Sequence, residues 1–444
     1  MKYGLLALAL AGPLNGQADE AGELALLRSE IAQLQKRLAA LERQAATKTE
    51  MAVAGQAAVS VDRRGLVTES ADGCHSIRIR ARLQMDGRWF ANGSDRTFEL
   101  RRVRPMIQGR SGPLDWRITP ELAGTVRLID AWGDLRLGGH HFLRFGKTKS
   151  VIGHERLQSF SQTLFLERGL PSVLTPTRDI GCEWHGRTSG RFLQWTLGLY
   201  NGVLDDTDLS GNANLGGGAL DFGGRVAFAP WAGKADSPLA GLTFGAAALF
   251  GSEDTVIDDG DRDRRIRYRT SGRDTFFRYN DGVEANGDRI RLNAFLSWYN
   301  GPFGFLSEYV RSSHELARGG TRHEVDTDAF TIQASWVLTG ESASYNGLRP
   351  RKPFNPAAGG WGALEIGVRH HQLKVGNAAF AGDGSTRLAR GNAVQKASAC
   401  GVGLNWHLTD NLLAGLNYEI TRFGGAGTDR PDEKVLISRF QIDF

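Results

Sequence analysis

Cysteine is scarce in this chain of 444 residues. Cys74, Cys182 and Cys400 are odd in number and form no CxxC pair, which excludes a disulfide framework and a thiolate zinc site of ordinary spacing. No run of eighteen apolar residues occurs, so no membrane-spanning helix is encoded. Lysine is rare as well: ten of the 54 basic residues, the other 44 being arginine. Arginine stays charged and offers a planar fork that matches oxyanions in two-point contact. The net charge of +5 is modest, against 57 glycines and 41% hydrophobic residues. Nucleic acid is one anion such a chain could meet, but the amino terminus argues against it. Lys2 followed by Leu5 to Leu14 and the small residues around Ala18 predicts a secretory signal over 1–18, and exported chains seldom work on nucleic acid.

The densest charge is Arg262, Arg264, Arg265-Ile266-Arg267-Tyr268-Arg269 and Arg273, six guanidinium groups in twelve residues. A two-residue step places Arg265, Arg267 and Arg269 on one side of an extended segment. Such a stretch is either a solvated basic loop or a surface that something anionic passes.

Leu24, Leu27, Ile31, Leu34, Leu38 and Leu41 step by three and four, the seam of a coiled coil over 21–45. The alternative is an amphipathic helix packed on its own domain. Residues 46–74 read as a linker to a domain over 75–444, and Ala45 to Arg64 lacks periodicity. From about Ser76 the period becomes two. Ile77, Ile79, Ala81, Leu83 and Met85 alternate with Arg78, Arg80, Arg82, Gln84 and Asp86, and the same holds over 289–298, 400–406 and 412–420. Sixteen candidate strands run from 76–90 to 434–444. Tight turns such as Gly112-Pro113, Gly138-Gly139 and Asn300-Gly301-Pro302 are set against long loops at 148–178, 253–288, 340–360 and 372–394. That asymmetry predicts an all-β, 16-stranded antiparallel transmembrane β-barrel, apolar outside and polar inside, with a short amino-terminal coiled-coil helix. A soluble sandwich would also alternate, but would seldom carry so many arginines on its second face. Trp116, Trp132, Trp195, Trp298, Trp336 and Trp406 supply candidates for interfacial girdles, some of them facing inward.

The arginines have a parity. Arg78, Arg80 and Arg82 point into the lumen if their strand is regular, and so do Arg102 and Arg104, which flank Val103. Arg101 then faces outward unless a bulge intervenes. His140-His141 and His370-His371 are adjacent pairs on strand ends, His154-Glu155 lacks the second histidine of HExxH, and Asp258 to Asp261 lacks later calcium ligands in register. No cofactor or metal is expected. Nor does any Ser/His/Asp constellation in barrel register predict an enzyme.

Several pieces in order carry a resemblance: Arg82-Leu83-Gln84, Leu100-Arg101-Arg102, Ile129-Asp130-Ala131, Phe145-Gly146-Lys147 and Leu166-Glu167-Arg168. They are followed by Arg265 to Arg269, Leu338 to Glu341, Leu404-Asn405-Trp406 and a terminal phenylalanine. Over about 75–444 the chain resembles the phosphate- and polyphosphate-selective porins of Gram-negative outer membranes. The resemblance implies a homotrimer of 16-stranded barrels in the outer-membrane lipid, passing inorganic phosphate or related oxyanions. It puts Arg82, Arg101, Arg102, Arg168, Arg265, Arg267, Arg269 and Arg273 on the basic ladder, Arg156 at a central lysine, and Asp130 at the site aspartate. Two departures bear on which anion passes. Arg104 stands where the family has a tyrosine, and no lysine occurs between Lys234 and Lys352, leaving Arg318 and Arg322 as substitutes. A more basic throat suits pyrophosphate, polyphosphate or an organic anion. The alternatives are a non-specific anion pore, or an envelope anchor whose coiled-coil arm, placed by this reading in the periplasm, does the work.

Overall fold

The computed structural model describes residues 28, 30–44, 57–62, 65–91, 96–208, 220–234, 236–257, 260 and 264–444. The signal segment, the start of the coiled coil, residues 46–56, 63 and 64 of the linker, and Arg262 lie outside them. The chain divides into two units, 1–59 with 68–74, and 60–67 with 75–444. In the first, a helix covers 30–44, and Ile31, Leu34, Leu38 and Leu41 are all exposed on it. Two short strands, Ala58–Asp62 and Gly65–Glu69, form within the stretch read as a linker.

The larger unit is a closed barrel of sixteen antiparallel strands. They are β1 His75–Phe90, β2 Arg96–Ser111, β3 Leu114–Glu121, β4 Arg127–Gly138, β5 His141–Thr148, β6 Asp179–Arg187, β7 Leu193–Tyr200 and β8 Asp221–Phe228. Then follow β9 Thr243–Ile257, β10 Val283–Asn300, β11 Phe303–Arg318, β12 Thr321–Val337, β13 Ala363–Val375, β14 Val394–His407, β15 Leu412–Gly427 and β16 Glu433–Asp443. Each strand pairs with its neighbours in sequence, and β16 closes on β1 with Val435 opposite Phe90 and Asp443 opposite Arg82. Closure leaves no free sheet edge, which a bilayer requires. The apolar set faces out: Ile77, Ile79, Leu83 and Met85 are exposed, while Gln84 and Asp86 are buried inside.

The strands run past their expected ends. β10 begins at Val283 rather than 289, and β9 ends at Ile257 rather than 252. Their outward residues there are mostly polar (Asp254, Glu284, Asn286 and Asp288, beside Val256), so the alternation fades although the ladder continues. The expected division of loops needs one correction. β11 and β12 join through the tight Gly319-Gly320 on the loop rim, so the long 338–362 segment emerges on the opposite rim, among the turns.

Three loop-rim segments fold into the barrel and share a core there. Leu170 and Leu174, Ile266, Tyr268, Phe276 and Phe277, and Leu388 and Ala389 are fully buried together, against Val310, Leu316, Val325 and Leu373 of the wall. Buried ion pairs also tie strand to strand across the inner wall: Arg289 to Asp221 at 2.6 Å, Arg369 to Glu419 at 2.6 Å and Arg439 to Asp86 at 2.7 Å. A share of the arginines are therefore struts rather than anion contacts.

Candidate functional site

The basic stretch forms half of a small hairpin, Arg267–Arg269 against Thr275–Arg278. Ile266 and Tyr268 drop into the internal core, so Arg265, Arg267 and Arg269 face the lumen, as the two-residue step predicts. They line a chamber of about 240 Å³ with Arg101, Arg102, Arg104, Arg127, Arg156, Arg168 and Arg273. Among the described residues the carboxylates that line the chamber with those ten guanidinium groups are Glu167, Asp206 and Asp208. Arg273 stands at the rim in the left-handed region (φ 70°), donating to Glu99 at 2.8 Å.

Arg101 reaches this chamber through a bulge. Gln84 pairs with Arg102 and Met85 with Leu100, which leaves Arg101 without an opposite residue. The extra residue turns both arginines inward. Arg101 then grips Glu167 through two bonds, 2.6 and 3.1 Å, while Leu100 stays on the outer face.

A second chamber of about 610 Å³ lies next along the lumen. It is lined by Arg80, Arg82, Arg104, Arg117, Arg144, Lys149, Arg168, Arg178 and Arg225, nine cations against Asp130, Glu183 and Asp443. Arg104, Phe160 and Arg168 line both chambers and form the neck between them. A third space of about 230 Å³ continues past Arg78, Arg80 and Asp443 to Arg349, which comes from the turn-rim segment 338–362. The cationic lining is thus continuous from the hairpin to the opposite rim.

The β5–β6 loop builds the neck. Gly153 (φ +94°) turns the chain into the short helix His154–Leu157, and a Cβ there would lie 2.7 Å from the Arg156 Cβ. Glu308 accepts from the His154 and Glu155 backbone N–H groups. His154 stacks between Phe295 and Tyr345, with ring centroids at 4.3 and 4.7 Å. Burial, then the Arg225 guanidinium, push His154 well below its ordinary value. The neutral ring accepts from Arg225 through Nδ1 at 2.9 Å. Arg156 donates to Asp206 at 2.9 Å. Arg168 donates to the Glu155 and Gln158 carbonyls at 2.9 and 2.7 Å. Burial, then Arg156, push Arg168 well below the usual arginine range.

Asp130 lines the second chamber, and its Oδ1 accepts from Arg178 Nε at 2.7 Å. Arg104 is paired with Glu121 at 2.7 Å, and Arg82 and Arg80 with Asp443 at 2.7 and 3.2 Å. Arg318 and Arg322 do not stand in for the family's central lysines. They bracket the Gly319-Gly320 turn, where Arg318 donates to the Gly384 and Arg387 carbonyls and Arg322 to Asn286. Lys149, Arg117, Arg144, Arg178 and Arg225 supply the chamber instead. Arg117, Arg144 and Arg225 sit on short strands, so parity alone could have marked them; Lys149, Arg178 and Phe160 arrive by loop folding.

Lys149 donates to the Leu157 and Gln158 carbonyls at 3.0 and 2.9 Å. Burial, then Arg168 and Arg178, push its ammonium well below the ordinary lysine value. Deprotonation removes a cation, so sulfate block of chloride current should weaken as pH rises towards the lysine reference of about 10.4. Sulfate itself does not titrate in that range. Lys149→Arg should hold its half-blocking concentration flat over the same titration.

A closed barrel with an inward cationic lining defines a diffusion pore. The chain belongs to the family of phosphate-selective porins O and P, whose model matches residues 77–444; family and fold together make it an outer-membrane anion porin, a channel in architecture. Among solved structures the chain is similar to OmpT of Vibrio cholerae, at 8% identity over 84% of this chain and 98% of that one, with a TM-score of 0.54. It is similar too to the outer-membrane channel DcaP of Acinetobacter baumannii (9% identity, 83% and 97% covered, TM-score 0.53). An anion-selective porin from Comamonas acidovorans matches at 11% identity, with 83% and 100% covered and a TM-score of 0.50. At such identities the likeness is one of fold alone. No curated protein matches the chain in sequence.

Proposed function

We propose that the pore passes phosphate-type oxyanions (phosphate, pyrophosphate or short polyphosphate) down their gradient, in a trimer of barrels. The observation that carries this reading is the neck, with ten cationic side chains against three carboxylates on one side and nine against three on the other. Such a surplus concentrates anions and repels cations. A charge pair near 4 Å at an effective dielectric of about 20 is worth about 4 kcal/mol before desolvation. A few of these offset partial dehydration of an oxyanion. A ladder of comparable sites keeps any one from holding tighter than roughly micromolar, about −8 kcal/mol, so ions still leave.

Asp130 gives the chamber a means of telling phosphate from sulfate. Protonated phosphate donates a hydrogen bond to a carboxylate, and sulfate at neutral pH has no proton to give. The heptad helix, with Ile31, Leu34, Leu38 and Leu41 exposed, would pair with copies of itself in the periplasm. The test is planar-bilayer recording under a potassium chloride gradient, followed by graded phosphate, pyrophosphate and sulfate. The expected reversal potential favours chloride, and phosphate blocks at lower concentration than sulfate. In Asp130→Ala the phosphate advantage should shrink several-fold, with sulfate block little changed. Easier passage of potassium than chloride ends this reading; equal loss of both blocks in Asp130→Ala ends the role of the aspartate alone.

A further inference from the structure

We infer that Phe160 is the specificity-determining residue of the neck, acting as a positioning residue that holds Arg102 and Arg168 so that the N–H groups they do not spend on neutral protein acceptors can meet an oxyanion. The inference builds on the anion conduit proposed above and goes beyond it. The Arg102 guanidinium carbon lies 3.2 Å from the centroid of the Phe160 ring, and that of Arg168 lies 4.1 Å from it. Arg101 and Arg439 stand farther off, each at 5.8 Å.

The loop tip that carries the ring is tethered to the wall. Arg82 Nη2 donates to Ser161 Oγ at 2.8 Å and to Ser159 Oγ at 3.3 Å, and Gln441 Nε2 donates to the Ser161 carbonyl at 3.3 Å. The two stacked arginines are held by neutral acceptors. Arg102 donates to Gln84 Oε1 at 2.7 Å, and its buried Nε has no partner among the described residues. Arg168 donates to backbone carbonyls. Among the described residues neither has a carboxylate in ion-pair range, whereas Arg101, Arg104 and Arg156 each have one.

Two unneutralised guanidinium groups crowded at one neck repel each other. A carboxylate between them would relieve the repulsion but would occupy their N–H groups and cancel their charge. An aliphatic side chain would leave the repulsion standing. The negative face of an aromatic ring attracts a stacked cation while its N–H edges stay free. Phe160 thus keeps both charges in place and available. A tetrahedral oxyanion accepts several directed N–H bonds from such edges, and chloride gains little from their direction. The stacked pair should therefore set the preference for oxyanions over halide more than it sets conductance.

The experiment reads chloride conductance and the phosphate concentration that halves it, for the full chain in planar bilayers. Phe160→Leu keeps most of the bulk and loses the ring; Phe160→Tyr keeps the ring. For Phe160→Leu, conductance should stay within about twofold of the wild type while the half-blocking concentration rises about tenfold, the scale of one lost cation–π contact. Phe160→Tyr should stay near the wild type. The inference is overturned if Phe160→Leu blocks like the wild type, or if Phe160→Tyr loses as much as Phe160→Leu. Should Phe160→Leu fail to insert, Phe160→Met asks the same question. A wild-type pore that prefers potassium would defeat the conduit itself and is read separately, from the reversal potential.

Discussion

Arg168→Glu is expected to lower chloride current at low salt by at least about tenfold and to move the reversal potential towards the cation side. Arg168 lines both chambers, so an ion crossing the neck passes it at contact distance. Replacing +1 by −1 removes an attraction and adds a repulsion, each up to about 4 kcal/mol at 4 Å for an effective dielectric near 20. Water and salt in the lumen reduce this, and the reduction grows as ionic strength shortens the Debye length from about 10 Å at 0.1 M to about 3 Å at 1 M. The defect should therefore narrow as salt is raised, which a mere collapse of the loop would not do. Arg168→Gln serves as the control. Its amide can still donate to the Glu155 or Gln158 carbonyl that the arginine now holds, so it removes charge while keeping an anchor, and its loss should be intermediate. An Arg168→Glu pore with the wild-type reversal potential would mean that the neck is not on the ion path.

The wall of this pore could be read from its residues because a barrel strand has a strict period of two, and each lipid-facing position declares itself. Arg78, Arg80, Arg82, Arg102 and Arg104 all fall where that period puts them. Arg101 shows where the period breaks: parity sends it outward, and the bulge opposite Gln84 and Met85 brings it back. The hairpin arginines follow the same rule, since Ile266 and Tyr268 need an apolar core and the intervening residues must face away from it. What did not show was the filling of the lumen. Phe160, Lys149 and Arg178 reach the conduit because long loops fold inward on contacts distant in the chain, such as Tyr345 O–H to the His154 carbonyl at 2.6 Å. Nothing in a local pattern marks such contacts. The strand ends above the apolar belt were hidden for a related reason: with polar residues on the outer face, hydrogen-bond pairing continues without an alternation to betray it.

Asp205→Ala is expected to cost about 3–5 kcal/mol, the usual penalty for stranding one member of a buried ion pair. Asp205 is fully buried in the β7–β8 loop. Its Oδ1 accepts from Arg291 Nε at 2.8 Å and Ser312 Oγ at 3.1 Å, and its Oδ2 from Tyr268 O–H at 3.0 Å. One carboxylate therefore ties β10, β11 and the arginine hairpin to the same point. Without it, among the described residues, Arg291 keeps the Val203 carbonyl at 2.9 Å and a distant Asp221 at 4.0 Å, and Tyr268 loses the Asp205 acceptor. The hairpin that carries Arg265, Arg267 and Arg269 is then released at its base, so phosphate block should weaken together with thermal stability. Burial alone would raise the Asp205 pKa, but Arg291 and then His314 overcome it and hold the carboxyl well below the usual range. The sign follows from that depression. The stabilisation is complete above the unfolded carboxyl value of about 3.9 and erodes only as pH falls beneath it towards the folded value. Thermal melts in detergent should thus show this link constant from neutrality down to about pH 4 and declining below, while Asp205→Asn, which keeps the shape without the charge, should start lower and lack that acid decline. A wild-type melting temperature matched by Asp205→Ala would show that the hairpin is held by its apolar core alone.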